Sequence, residues 1–346
     1  MKVGIFSVVD PDPRDPARNE RRFAEAVRLA EAADAAGLSS VWVAEHHFGA
    51  AGLLPSPVVL LAAMGARTRR IRLGSLVTVL PFHEPVEVAE QFAVLDRLTD
   101  GRLNFGCGSG YLPDELDGFG VDAQTKRESF DRALDTILAA WSGAEVRVDR
   151  ARATPVRLNV RPVQRPHPPV WIASQRREAI PFVARRGVSL ALIPYATVGS
   201  LAELGEEIRE FREAAPAGAQ SEVAAAVHVY IGPNVAQARH ALQEYLDGRL
   251  ATMSTHYRRK VAADPRQARA DAIEGSGVAL VGDSPTVREG LRKLAAAGVD
   301  ELLAMVDFGS IPTHEAERTI RSLGLLAADL SRQTPTVPAV ESERPR

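Results

Sequence analysis

Cysteine and lysine are both scarce in this sequence of 346 residues. The single cysteine, Cys107, excludes a disulfide within the chain and a zinc site built from several thiolates. Only four of the 42 basic residues are lysines, and they lie before the first predicted strand or in helix-like stretches. Catalysis through a lysine Schiff base, as in an aldolase, is therefore disfavoured.

Long apolar runs and an excess of one charge are also missing. No apolar run approaches the roughly 18 residues of a membrane span, and the start, MKVGIFSVVD, enters a strand-like stretch rather than a secretory signal. The net charge of −2 shows no basic excess for binding nucleic acid or an anionic membrane. With 45% hydrophobic and 25% charged residues, the composition predicts a globular cytoplasmic protein without such partners.

Short apolar, β-branched runs alternate with amphipathic helical stretches along the chain. The strands are nearly continuous in apolar residues, which is typical of parallel strands buried on both faces. Eight strand–helix units predict a closed (β/α)8 TIM barrel rather than an open sheet. The predicted barrel strands are residues 3–8, 40–44, 71–80, 103–108, 170–174, 190–194, 223–231 and 302–308.

Two stretches interrupt this alternation. Residues 143–169 form an insertion after the fourth helix, and residues 257–277 form a second one before the eighth strand. Loops of this length in a compact domain are usually lids or disordered. We predict one barrel domain over residues 1–332 and a disordered tail over residues 333–346, which lack an apolar period.

The second predicted strand ends in Glu45-His46-His47-Phe48, and the active sites of barrels lie on the loops after strand carboxyl ends. Neighbouring strand residues point to opposite faces, so His46 and His47 are not expected to share a metal. One histidine facing the barrel mouth could donate or accept a proton. Alternatively, both histidines are satisfied by hydrogen bonds at a strand end.

The fourth predicted strand ends in a glycine-rich segment, Gly106-Cys107-Gly108-Ser109-Gly110. Tyr111 occupies the position at which a dinucleotide fingerprint or a nucleophile elbow requires glycine. The segment therefore either exposes backbone to a flat ligand or phosphate, or permits tight packing. We expect Cys107 to be a small core residue.

Two other segments carry candidate anion-binding residues. Ser174, Gln175, Arg176 and Arg177 end the fifth predicted strand, and a helix is predicted to begin at once. Arg127 opens the fourth helix. A hydroxyl and arginines at a helix start favour an anion, although a single arginine there is more often solvated.

Several segments in order resemble the bacterial luciferase-like flavin monooxygenases over most of residues 1–330. They are VWVAEHHF (41–48), GSLVTVLP (74–81), TDGRLNFGCGSG (99–110), FGVD before Arg127, VWIAS (170–174) and GDSP (282–285). The resemblance implies an enzyme that uses reduced FMN and O2 to oxygenate a small organic substrate such as a natural product, with reduced flavin supplied by a separate reductase.

The resemblance also implies roles for individual residues. His46 falls on the catalytic histidine, and Leu76–Val77 falls on a non-prolyl cis peptide beside the flavin ring. No metal is implied. The cofactor-binding positions carried over are Leu76, Val77, Gly108, Ser109, Arg127, Ser174, Gln175 and Arg176.

Two departures from luciferase itself argue against light emission from a long-chain aldehyde. Ser109 stands where luciferase has a phosphate-binding arginine, and Gly108 stands where it has an active-site cysteine. Two other functions stay open: a deazaflavin-dependent oxidoreductase of the same fold, and a flavin-binding protein without catalysis.

Two further expectations concern the substrate pocket and assembly. Tyr111, Phe82, His83 and residues 257–277 are expected to shape the pocket, which favours an apolar or aromatic small molecule. The helices predicted at 55–66 and 86–98 carry small apolar faces. These faces could pair two copies in a symmetric homodimer.

Overall fold

Eight parallel strands close into a barrel around an apolar core. The computed structural model describes residues 1–12, 15–49, 51–148, 154–252, 261–262 and 265–333. Two short strands, β4 and β9, add to the eight. The strands are β1 (Lys2–Ser7), β2 (Ser40–Val43), β3 (Arg72–Ser75), β4 (Thr78–Val79), β5 (Leu103–Gly108), β6 (Val170–Ser174), β7 (Ser189–Leu192), β8 (Val223–Ile231), β9 (Ala279–Gly282) and β10 (Glu301–Met305).

The sheet closes because β10 pairs in parallel with both β1 and β8. Leu303 lies opposite Gly4 on one side and opposite Ala226 on the other. Every residue of β2, β5, β7 and β8 is buried, which explains why these strands lack a polar alternation. The predicted (β/α)8 barrel is confirmed.

Helices cover the outside of the barrel. Several begin with a recognisable cap: the side chain of Ser200 accepts a hydrogen bond from the Glu203 N–H, and Asp283 accepts one from Thr286. The helices are α1 (Pro16–Asn19), α2 (Arg22–Ala35), α3 (Pro57–Arg67), α4 (Pro85–Leu98), α5 (Pro113–Gly118), α6 (Lys126–Ser142), α7 (Ile180–Arg185), α8 (Pro194–Thr197), α9 (Leu201–Ala214), α10 (Val235–Thr252), α11 (Ala270–Gly275), α12 (Ser284–Ala296) and α13 (Thr313–Gln333).

The third predicted strand was drawn too long. Residues 71–80 form two strands, β3 and β4, which are separated by a cis peptide bond between Leu76 and Val77. β3 pairs with the first part of β5 and β4 with its last part. The interruption places the cis peptide at the carboxyl end of the barrel.

The two insertions differ in structure. Within 143–169, Val146 and Val156 form an isolated antiparallel bridge. Within 257–277, α11 is a regular helix, whereas residues 257–260 and 263–264 lie outside the described residues. The predicted tail lies outside them from residue 334 onward, and the single domain over 1–332 stays a prediction. Among the described helices, none is long and apolar enough to cross a membrane.

Candidate active site

The carboxyl ends of the barrel strands surround a cavity of about 590 Å³. This is the end of a barrel at which active sites form, because the strand-to-helix loops converge there. Barrel closure brings together residues from four separate strand ends. All the residues predicted for the site line this one cavity: His46, Leu76, Val77, Gly108, Ser109, Arg127, Ser174, Gln175 and Arg176.

The His46 ring is held by a buried carboxylate. Its Nδ1 lies 3.0 Å from Oε1 of Glu115, and the backbone N–H of His47 donates to the same oxygen at 2.8 Å. Both side chains are buried, since His46 is 6% exposed and Glu115 is 2% exposed. A carboxylate partner places the proton on Nδ1 and leaves Nε2 as the ring nitrogen for proton exchange.

Glu115 was not predicted from the sequence. It lies on α5, a short helix 69 positions further along the chain than His46. The available signal was a pair of acidic residues, Asp114 and Glu115, in the first turn of a helix directly after a strand end. That pattern is also an ordinary helix start, so it does not identify a partner for a histidine.

The side chain of His47 belongs to a different network from that of His46, although both residues follow the end of β2 at Val43. Its Nε2 lies 2.9 Å from Oε1 of Glu45, and Nε2 of His83 lies 2.7 Å from the same oxygen. The other Glu45 oxygen accepts the Val79 N–H at 2.9 Å. Burial alone would raise the pKa of Glu45, but the hydrogen bonds from His47 and His83 outweigh it and lower that pKa. Glu45 therefore joins the end of β2 to β4.

The ligand atoms of Glu45, His47 and His83 lie within 4.8 Å of one another, as in some metal sites. Their two nitrogen–oxygen distances of 2.9 and 2.7 Å are those of direct hydrogen bonds. The arrangement is therefore explained by one carboxylate bound to two imidazoles. That the protein uses no metal stays a prediction.

The glycines of the fourth barrel strand are required by close packing against the cis peptide segment. A Cβ at Gly106 would lie 1.8 Å from the Ser75 carbonyl oxygen, and one at Gly108 would lie 2.8 Å from Cγ2 of Val77. Of the two interpretations of this segment, tight packing accounts for both glycines. Cys107 is fully buried, and burial raises the pKa of its thiol, so it is a core residue.

Lys126, Arg127 and Arg176 give one part of the cavity a positive charge. The Lys126 ammonium donates a hydrogen bond to the Gly110 carbonyl. Burial and the neighbouring Arg176 lower the pKa of Lys126, which is the expected effect of two cations held close together. No carboxylate among the described residues forms an ion pair with either of them. Lys126 was not predicted to belong to the site, because a lysine in the first turn of a helix is usually solvated.

Arg127 lines the cavity but is also held from the side. Its guanidinium carbon lies 3.5 Å from the centroid of the Phe182 ring, and its Nε lies 3.7 Å from a carboxylate oxygen of Asp131. These contacts orient the side chain across the start of α6.

A helix begins directly after Ser174–Arg176, as predicted, but its first turn is 3₁₀ rather than α. Residues Arg177–Ala179 form a 3₁₀ turn, and α7 begins at Ile180 and has only six residues. The Ser174 hydroxyl accepts the Arg176 N–H at 3.2 Å and donates to the Arg176 carbonyl at 2.9 Å. Any attraction for an anion here comes from the charged side chains rather than from a helix N-terminus.

The expected pocket residues divide into two groups. Tyr111 lines the cavity next to His46, with ring centroids 6.1 Å apart. Phe82 and His83 do not line it, since Phe82 stacks on Phe119 at 4.5 Å and His83 binds Glu45. Only part of 257–277 lies within the described residues.

Fold and cavity together define a (β/α)8-barrel enzyme with a buried histidine–carboxylate pair at the end of its second strand. The family of luciferase-like monooxygenases matches residues 1–301, and the chain belongs to this family. It is accordingly an oxidoreductase, as the resemblance predicted.

Related proteins agree with this assignment. An uncharacterised protein, y4wF of Sinorhizobium fredii, is 32% identical over 322 residues, which cover 90% of this chain and 92% of that protein. Monooxygenase RslO1 from Streptomyces bottropensis superposes with a TM-score of 0.79 at 27% identity, covering 96% of this chain and all of that one. The oxygenating constituent of 3,6-diketocamphane monooxygenase from Pseudomonas putida, a Baeyer-Villiger enzyme in complex with FMN, has a TM-score of 0.77 at 18% identity, covering 95% and 98% of the two chains.

Proposed function

We propose that the protein is a monooxygenase that uses reduced FMN and O2 to oxygenate a small organic substrate in the cytoplasm, with the reduced flavin supplied by a separate reductase. One observation carries the proposal. A single cavity combines two cations that form no ion pair with any described carboxylate, Lys126 and Arg176, with the buried His46–Glu115 pair.

The lining of the cavity suits FMN. Lys126, Arg127 and Arg176 would hold the phosphate, because charge-assisted hydrogen bonds to phosphate are the strong ones. Leu76, Val77 and the glycine-rich end of β5 offer an apolar wall for a flat ring. Ser109, Ser174 and Gln175 line the same cavity and would also contact the bound FMN.

When bound, reduced flavin supplies the electrons that activate O2. The chain itself supplies a proton carrier: Glu115 orients His46 so that Nε2 can give up and take back a proton inside the cavity. A positioned proton-transfer group of this kind typically contributes about 10²–10⁴ in rate.

Replacing His46 tests this role. We expect His46→Ala to bind FMN with unchanged affinity, but to lose most product formation and to release hydrogen peroxide instead. The measurement is stopped-flow mixing of the reduced FMN complex with oxygenated buffer, with product and peroxide assayed together. His240→Ala is the matched control, because this histidine lies on the surface with a side chain 67% exposed. Turnover of an authentic substrate at the parent rate by His46→Ala would refute the assignment.

The two alternative functions give different results when anaerobic cofactor titrations are followed by mixing with oxygenated buffer. A deazaflavin-dependent oxidoreductase would bind the deazaflavin more tightly than reduced FMN and would not speed consumption of O2. A non-catalytic binding protein would hold FMN and leave its reaction with O2 unchanged. The intact His46–Glu115 pair favours the monooxygenase over the non-catalytic protein.

We also propose that two copies pair through α3 and α4. Val59 on α3 and Val94 and Leu98 on α4 are 67%, 44% and 70% exposed. The two helices pack side by side, so these side chains lie on neighbouring elements. Exposed apolar side chains in one region are typical of a protein–protein interface.

A further inference from the structure

One part of the cavity wall takes no part in the flavin proposal. It is built from three tyrosines and an arginine: Tyr111, Tyr195, Tyr245 and Arg249. The Tyr195 and Tyr245 hydroxyl oxygens lie 3.2 Å apart. The Arg249 guanidinium carbon lies 5.0 Å from the Tyr245 ring centroid. Because Tyr111 packs edge-on against His46, this group of residues, here called the phenolic wall, adjoins the proposed proton carrier.

The charge in the phenolic wall is buried. Arg249 is 5% exposed and donates to Oδ1 of Asp10 at 2.7 Å. Buried ion pairs of this kind rarely stabilise a fold more than well-packed apolar side chains would. An arginine that is both buried and part of a cavity wall therefore points to a ligand rather than to stability.

The wall offers hydrogen-bond donors. Burial raises the pKa of Tyr111, Tyr195 and Tyr245, so all three phenols keep their protons. An arginine has donors only. The ligand atom that suits such a group is an acceptor oxygen.

The other residues around the phenolic wall favour a ligand with a flat apolar ring. Phe6, Val8 and Met305 line the same cavity. Behind the tyrosines, His228 packs against the rings of Tyr195, Tyr245 and Phe308 at centroid distances of 5.0, 4.6 and 5.1 Å. Aromatic rings therefore form both the surface of the phenolic wall and the layer behind it. The polar atoms of the wall are concentrated at the tyrosine hydroxyl groups and at Arg249.

We infer that the phenolic wall binds the substrate and that the substrate is a planar aromatic compound with an oxygen bonded directly to a ring carbon, as in a phenol. The oxygen on the ring would accept hydrogen bonds from Arg249 and from whichever of the Tyr195 and Tyr245 hydroxyl groups does not donate to the other, and the ring would lie against Phe6, Val8 and Met305. This inference rests on the proposed monooxygenase function, whose substrate class it names. It excludes long-chain aliphatic aldehydes as good substrates.

Binding of three probes tests the inference without turnover: 2-naphthol, 2-methylnaphthalene and decanal. 2-Naphthol and 2-methylnaphthalene differ only in the substituent on the ring, which is a hydroxyl group in the first and a methyl group in the second. We expect 2-naphthol to bind at least about tenfold more tightly than either of the others, which corresponds to about 1.4 kcal/mol. The dissociation constants are measured by fluorescence or calorimetry on the protein with and without FMN.

Variants then locate the binding residues. Tyr195→Phe and Tyr245→Phe should each remove most of the preference for 2-naphthol over 2-methylnaphthalene. Tyr230→Phe is the matched control, since this tyrosine is equally buried but binds Glu315. Arg249→Met combined with Asp10→Asn removes both charges together, so that neither is left buried without its partner.

The outcomes separate this inference from the function on which it rests. Equal affinities for 2-naphthol and 2-methylnaphthalene, tighter binding of decanal, or a preference that survives both tyrosine substitutions would overturn the inference. The affinity for FMN should stay unchanged in all these variants. Failure of the unmodified protein to bind FMN would refute the proposed function instead, whatever the naphthol result.

Discussion

Glu115 is the residue that turns a histidine at a strand end into an oriented proton carrier. The Glu115 carboxylate is hydrogen-bonded to Nδ1 of His46 and accepts the backbone N–H of His47. It therefore sets the position of the His46 ring and of the backbone beside it. His46 and Glu115 therefore act as one unit in the proposed function.

A double-mutant cycle checks this coupling. We expect Glu115→Ala to lower the ratio of product to O2 consumed by about tenfold or more, because the ring loses its orientation. The double variant His46→Ala/Glu115→Ala should be no worse than His46→Ala alone, since residues that act as a unit are not additive. Product and peroxide yields measure the effect. Independent, additive losses would show that Glu115 acts elsewhere.

Lys126 is the cation most directly tied to the cavity backbone, through the Gly110 carbonyl. We expect Lys126→Met to weaken FMN binding by about tenfold or more and to leave the affinity for riboflavin, which lacks the phosphate, unchanged. Arg127→Ala should act in the same direction. Lys293→Met, on the exposed face of α12, is the control. If riboflavin and FMN affinities fall together, Lys126 supports the cavity wall rather than the phosphate.

Among the strands, β8 carries an unusual interior residue. Neither ring nitrogen of His228 has a hydrogen-bond partner among the residues that the structure describes, and the side chain is fully buried. Burial, helped by the charge of Arg249, lowers the pKa of His228 to about 3. The barrel therefore contains a histidine that stays neutral at every pH at which the protein is expected to work.

This depressed pKa makes stability dependent on pH. Below a pH of about 6.5 His228 binds a proton in the unfolded chain but stays unprotonated in the folded barrel. The contribution of His228 to the free energy of unfolding is therefore complete above pH 6.5. It falls by up to about 1.4 kcal/mol per pH unit as the pH drops towards the folded pKa.

We expect His228→Leu to remove about 2 kcal/mol of the stability loss between pH 7 and pH 5. Leucine has neither an ionisable group nor unpaired nitrogens, and its volume is similar. Urea unfolding at the two pH values measures the difference, with His240→Leu on the surface as the control. Identical losses in the parent protein and His228→Leu would show that another group controls the acid sensitivity.

For the molecule as a whole, the proposed dimer is the property that most depends on exposed apolar surface. We expect Leu98→Glu to convert a homodimer of about 75 kDa, twice the 37.3 kDa chain, to monomers, because a charge cannot be buried unpaired in an apolar interface. Light scattering measures the mass. Leu325→Glu on α13 is the matched control, since Leu325 is 75% exposed away from α3 and α4. A parent protein that scatters as a monomer would contradict the proposal.

Local patterns predicted most of the architecture. Strands β5, β6 and β8 were predicted to the residue, because buried parallel strands show as nearly continuous apolar runs such as residues 223–231. Strand 71–80 was predicted too long, since a cis peptide leaves no mark in hydrophobic periodicity. The first turn of the helix after β6 was not distinguished as 3₁₀, because propensity does not separate a 3₁₀ turn from an α-helix.

The candidate site divides in the same way. Residues at strand ends, such as His46 and Ser174, were identifiable because the barrel fold assigns chemistry to those positions before any contact is known. Their partners were not. Glu115 meets His46 across 69 positions, and Arg249 meets Asp10 across 239. The first pair forms because β2, β3 and β5 are neighbours in the sheet, and the second forms when β10 joins β8 to β1. Periodicity and spacing report interactions within a few residues, whereas the partners of a buried charge are set by which strand ends the closed barrel brings together.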